Sequence, residues 1–95
     1  MGLKMIKATT EHGTYYIIDM ENSRAKRVPA ADRNSMLSDN TWFHFVGLTS
    51  FNRETQEHSL KPLQIGHSLY FLVSTRERYD WRISTDIVSI EEIEE

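Results

Sequence analysis

Four histidines, His12, His44, His58 and His67, are the side chains of this 95-residue chain best suited to hold a metal or move a proton. No two stand three or four residues apart, the spacing that would put a metal pair on one helical face. There is no cysteine, which removes disulfides, thiolate zinc sites, iron–sulfur clusters and a thiol nucleophile. His44 lies in "WFHFV" on the strand face of Trp42 and Val46, where a buried neutral imidazole bonded to a backbone group or hydroxyl is expected. His12 and His67 adjoin turn glycines. No Gly-x-Ser-x-Gly elbow occurs and no phosphate loop, and Asp80 and Asp86 flank a strand without a pocket that would shift their pKa values. The residue types therefore predict no catalytic residue, no metal and no cofactor, and a protein that acts by binding.

Binding chemistry is better represented. Arg24, Lys26, Arg27 and Arg33 form one basic cluster, and Arg76, Arg78 and Arg82 form a second beside Tyr79 and Trp81. Rings interleaved with arginines suit single-stranded nucleic acid, the ring stacking on a base while the guanidinium meets a phosphate. Glu77 and Asp80 sit inside the second cluster and repel phosphate, and "TRERYD" also reads as a solvated turn with local ion pairs. A protein partner is the leading expectation. Tyr79 and Trp81 near arginines are of the types enriched at interface hot spots. Phe51, Arg53, His58 and Leu60 have no evident core role, and Glu91 and Glu92 open an acidic end able to meet a basic surface.

These side chains must be positioned by strands. The apolar residues recur at period two or in short runs, not at helical spacing. Residues 1–10 read as a first strand, 11–13 as a tight turn using the freedom of Gly13, and "TYYIIDM" as the clearest strand. Tyr15, Ile17 and Asp19 share one of its faces, and Tyr16, Ile18 and Met20 the other. A turn at 21–23, with Asn22 suited to the left-handed region, leads to "RAKRVP" as hairpin partner, Ala25 and Arg27 facing opposite to Lys26 and Val28. Residues 32–37 have room for one helical turn. "TWFHFVGLTS" is apolar on both faces and predicts a central strand buried on both sides. Residues 51–66 show no periodicity and read as a long loop. "HSLYFLVS" is another two-sided strand, 75–79 a charged turn, and "DWRIS" and "DIVSIEEI" finish the sheet. Of the last, Ile87 and Val88 face opposite ways, one into the core and one beneath a loop. Isolated Gly13, Gly47 and Gly66 read as turn or bulge positions.

Six or seven short strands predict an all-β fold, a small antiparallel barrel or sandwich, SH3-like as first choice and OB-like as second. The expected organisation is one domain over 1–90 with an acidic tail at 91–95. Those five residues hold four of the fourteen acids, and removing their charges from the net −3 leaves a nearly neutral body, so no whole-molecule field argues for nucleic acid.

"GTYYIIDMENSRAKRVP" resembles a hairpin of small accessory proteins encoded by actinobacterial phages, in which a Tyr-x-x-Asp strand is followed by a short turn and a returning Arg-Val. "WRISTDIVSIEE" is similar to the ending of such chains. The two segments cover about a third of the sequence, which departs from the pattern at Asp86, where proline is expected, and in the length of 51–66. The resemblance implies a phage origin and an accessory role on a host or virion protein, without naming a reaction.

Composition agrees with a globular domain: 39% hydrophobic and 26% charged. The N-terminal "MGLKMIKATT" lacks a signal-peptide core and, with Ile6 where Ser or Thr is needed, an acylation motif. No apolar run is long enough to span a membrane. Together with the missing cysteines, this predicts a cytoplasmic protein. A self-pairing sheet edge would allow a homo-oligomer. The leading expectation is a small non-catalytic protein-binding module; the alternative is a small β-barrel that binds single-stranded nucleic acid.

Overall fold

Side chains that alternate between apolar and polar favour extended backbone, because each strand can then bury one face and solvate the other. The chain forms β1 (Lys4–Thr10), β2 (Tyr15–Asp19), β3 (Arg24–Val28), β4 (Phe43–His44), β5 (Gly47–Asn52), β6 (Glu57–Ser59), β7 (Ser68–Ser74) and β8 (Tyr79–Glu94). The computed structural model describes residues 4–30, 39–74 and 78–94. The helical turn expected at 32–37, Arg33, and Arg76 within the expected charged turn lie outside the described residues.

The protein is all-β: among the described residues every regular element is a strand, and all pair antiparallel in the order β4-β3-β2-β1-β8-β7-β5-β6. The sheet curls on itself. The Phe45 N–H donates to Ser23 O (2.9 Å) on one side, and the Val46 N–H donates to Leu72 O (2.8 Å) on the other. Residues 45–46 thus carry the chain from one arm of the curl to the other. The sheet does not close, since β4 and β6 remain as edges.

The inward face is set by alternation. Ile6 and Ala8 of β1, Tyr16 and Ile18 of β2, Ala25 of β3, Leu69 and Phe71 of β7 and Ile87 of β8 meet in one cluster with Phe45. Phe71 is its hub, with ring centroids 5.7 Å from Tyr16, 5.2 Å from Phe43 and 5.4 Å from Phe45.

The two N-terminal turns use different chemistry. Gly13 takes φ 89° and its N–H donates to Thr10 O (3.0 Å). In the next turn it is Ser23, not Asn22, that takes positive φ (50°). Asn22 instead serves Asp19, donating from its backbone N–H (3.2 Å) and its Nδ2 (2.9 Å). Arg24 Nε adds a third bond (3.0 Å), so the fully buried Asp19 carboxylate holds the turn together.

Several sequence expectations need correction. The strand expected across 41–50 is not central. It is broken at 45–46, His44 and Val46 are exposed, and Trp42 packs outside the sheet beneath Arg24 and Lys26. The residues on the His44 side are apolar, but their burial depended on a second layer that the curled sheet does not provide there. The region 51–66 is not one loop, because β5 runs to Asn52 and β6 returns to Ser59 as a hairpin. Gly47 is neither turn nor bulge: it begins β5, lacking the Cβ that would stand 3.6 Å from Leu72 Cβ. Lastly, "DWRIS" and "DIVSIEEI" form one strand of 16 residues.

That strand has two partners. Its first half pairs with β7 and its second with β1, with register shifts in both ladders. Bulges of this kind bend and re-aim a strand, and here the bend is anchored by Glu11 N–H to Asp86 O and Ile87 N–H to His67 O. Of the two oppositely facing residues it is Ile87 that enters the core, while Val88 is exposed rather than covered by a loop. No boundary falls after residue 90: Glu91, Glu92, Ile93 and Glu94 lie opposite Lys7, Ile6, Met5 and Lys4 in the β1 ladder, so the acids extend the strand instead of trailing from it.

Candidate binding surface

Pairing places residues distant in sequence side by side on the outward face. Phe51 of β5 lies opposite His58 of β6, Thr49 opposite Tyr70 of β7, and Leu72 opposite Trp81 of β8. The rings form a stripe across four strands. Phe51 stands 4.8 Å from His58 and 6.0 Å from Tyr70; His58 stands edge-on to Tyr70 at 4.7 Å; Tyr70 stands 4.5 Å from Trp81. Rings at these separations attract by about 0.5–1.5 kcal/mol per pair beyond area burial, so the stripe holds its shape without a ligand. It is also wet. Trp81 is 57% exposed, and Tyr79 and Ile83, two residues either side on the same face of β8, are exposed too.

Three of the candidate residues, Phe51, His58 and Trp81, are therefore brought together, and Tyr79 continues their face. Tyr70, the ring that joins them, was missed by sequence reading. Its signal was the alternation of "SLYFLVS", which puts Tyr70 opposite in facing to Leu69 and Phe71; what no local pattern gives is that β5 and β8 lie on its two sides.

The cations beside the stripe are engaged. Arg53 Nε donates to Ser68 Oγ (2.9 Å) and its Nη2 to Ser84 O (2.7 Å), with Asp86 Oδ1 at 3.9 Å. Arg53 ties the β5–β6 turn to the bend of β8. Arg78 pairs with Asp80 (3.3 Å). Arg82 is separated from Tyr79 and Trp81, because neighbours in a strand point to opposite faces. It lies opposite Phe71 in the ladder, and its guanidinium stacks over Phe43 (4.6 Å) on the inner side. The expected interleaving of Arg82 with these two rings on one surface is thus corrected by the pleat.

The first basic cluster divides in the same way. Arg24 and Lys26 stand over the outward Trp42 ring, at 4.2 and 4.8 Å, while Arg27 faces inward to Asp39, its Nη1 donating to both carboxylate oxygens (2.7 and 2.6 Å). Glu91 and Glu92 lie on the other half of β8, against β1 and away from the rings. Among the described residues no group of three or more histidines and acids could hold a metal ion. No helix there is long and apolar enough to cross a membrane. No family model, curated protein or solved structure matches the chain.

Proposed function

We propose that the protein is a small non-catalytic accessory module that docks an apolar segment of another protein on the outward stripe of Phe51, His58, Tyr70 and Trp81. The observation that carries this reading is the joint presence of four packed, solvent-facing rings and of acids beside the neighbouring cations. Rigid aromatic side chains contribute much contact area at little entropic cost and dominate interface energetics. A single-strand platform needs rings as well, but it also needs a cationic groove that follows the phosphates. Here Arg53 faces Asp86 and Arg78 faces Asp80, and Arg82 faces inward. The role fits an accessory protein of the phage type that the β2–β3 hairpin resembles, acting on a host or virion protein.

Panning a displayed peptide library on the immobilised protein tests the proposal. Selected peptides should be rich in proline and apolar residues, and Tyr70→Ser and Trp81→Ser should each abolish their binding while leaving the melting transition in place. Peptides that bind these variants as well as the parent would place the working surface elsewhere. Salt-sensitive capture of oligonucleotide instead of peptide would favour the nucleic-acid reading.

A further inference from the structure

The inner side of the curl holds a second feature, independent of the stripe. Between the β1–β2 turn and residues 82–85 of β8, over the inner ends of β2, β3 and β4, a cavity of about 310 Å³ opens. Its lining includes Tyr16, Arg27, Phe43 and Arg82, together with hydroxyl residues of the β1–β2 turn (Thr10, Thr14) and of the bulge. No carboxylate lines it among the described residues. A cavity of this size is at the lower end of those that take small ligands.

The polar groups are arranged rather than scattered. Asp39, whose side chain is 3% exposed, holds Arg27 through Nη1, and Tyr16 lies opposite Arg27 in the β2–β3 ladder. Burial pushes the Tyr16 phenol up despite the opposing pull of Arg27. The Arg82 guanidinium carbon stands 4.6 Å from the centre of the Phe43 ring. A guanidinium offers N–H donors in a planar fork that matches a planar oxyanion. The cavity therefore combines an apolar ring wall with two guanidinium groups and a phenol donor.

We propose that this cavity binds a small organic oxyanion, a carboxylate or phosphate ester carrying a flat apolar group, with Arg82 and the Arg27–Tyr16 pair meeting the anion and Phe43 the apolar part. Benzoate, phenyl phosphate and neutral benzyl alcohol are the probes, titrated at constant ionic strength into the full chain labelled for amide and arginine Nε–H spectra. Benzoate or phenyl phosphate should give saturable shifts at Arg82, at the β1–β2 turn and at Ser84–Thr85, and the stronger of the two identifies the head group. Arg82→Met should weaken that binding about tenfold or more, the loss of one charge-assisted contact, and Arg82→Lys should fall between it and the parent. Should Arg82→Met fail to fold, Arg82→Lys and Tyr16→Phe carry the comparison. The proposal is overturned by an equal response to benzyl alcohol, by shifts that never saturate, or by folded Arg82 variants that bind as the parent does.

Discussion

Phe71 touches three other rings and is fully buried, so it is the single side chain on which the inner packing most depends. Phe71→Ala should cost about 3–5 kcal/mol, the range for deleting a buried phenylalanine from a core that cannot collapse around the void. For a domain of this size that is a large part of its stability, and a urea melt should show a midpoint far below the parent's or no folded baseline. A near-parental midpoint would mean that the inner face is not packed as described. Asp19 gives a test of different kind. Its carboxyl is held below the ordinary value of 3.8, chiefly by the Asn22 amide, with burial opposing and Arg24 assisting. A depressed folded-state pKa stabilises the fold above the unfolded value, and that stability is lost as pH falls through the folded one. Melting temperature should therefore drop on acidification below about pH 4, and Asp19→Asn should flatten that drop. An identical acid slope in the variant would remove Asp19 from the account.

At the scale of elements, β8 decides most of the architecture, since it alone pairs with both arms of the curl. Ending the chain after Ile90 deletes Glu91–Glu94 from the ladder with β1 and exposes Met5, which faces Ile93. The shortened protein should melt lower, by about 4–8 °C for each kcal/mol lost; an unchanged melting curve would show that these residues do not hold β1. Local pattern made much of this element legible. The extended form of "DWRIS" and the opposite facing of Ile87 and Val88 followed from period two alone. What alternation could not supply was continuity: "DWRIS" and "DIVSIEEI", parted at Thr85, read as two segments, yet here they are one strand with a bulge. The reverse error befell 41–50, where a run apolar on both faces suggested a buried strand. Period and composition report that a segment is extended; only the long-range pairing reports whether anything covers its second face. His44 is exposed for that reason, and Tyr70 joins Phe51 and Trp81 through pairings that lie outside any short window.

For the whole molecule, the curl gives the sheet two unlike surfaces. The inner one carries the core and, at its mouth, Arg27 and Arg82; the outer one carries the ring stripe beside ion-paired arginines. Both edge strands are short, β4 with two residues and β6 with three, which limits the backbone they offer to another sheet. The docking proposed above accordingly uses the face of the sheet and not its edges. Trp81 reports on that face directly. In a Trp42→Phe background its fluorescence is the only tryptophan signal, and it can be followed while adding first a peptide selected for binding and then a thymidine oligonucleotide, at low and at moderate salt. Docking on this face should give a saturable blue shift with peptide that changes little with salt, and no saturable response to the oligonucleotide. Quenching by the oligonucleotide that fades steeply with salt, with the peptide silent, would contradict it.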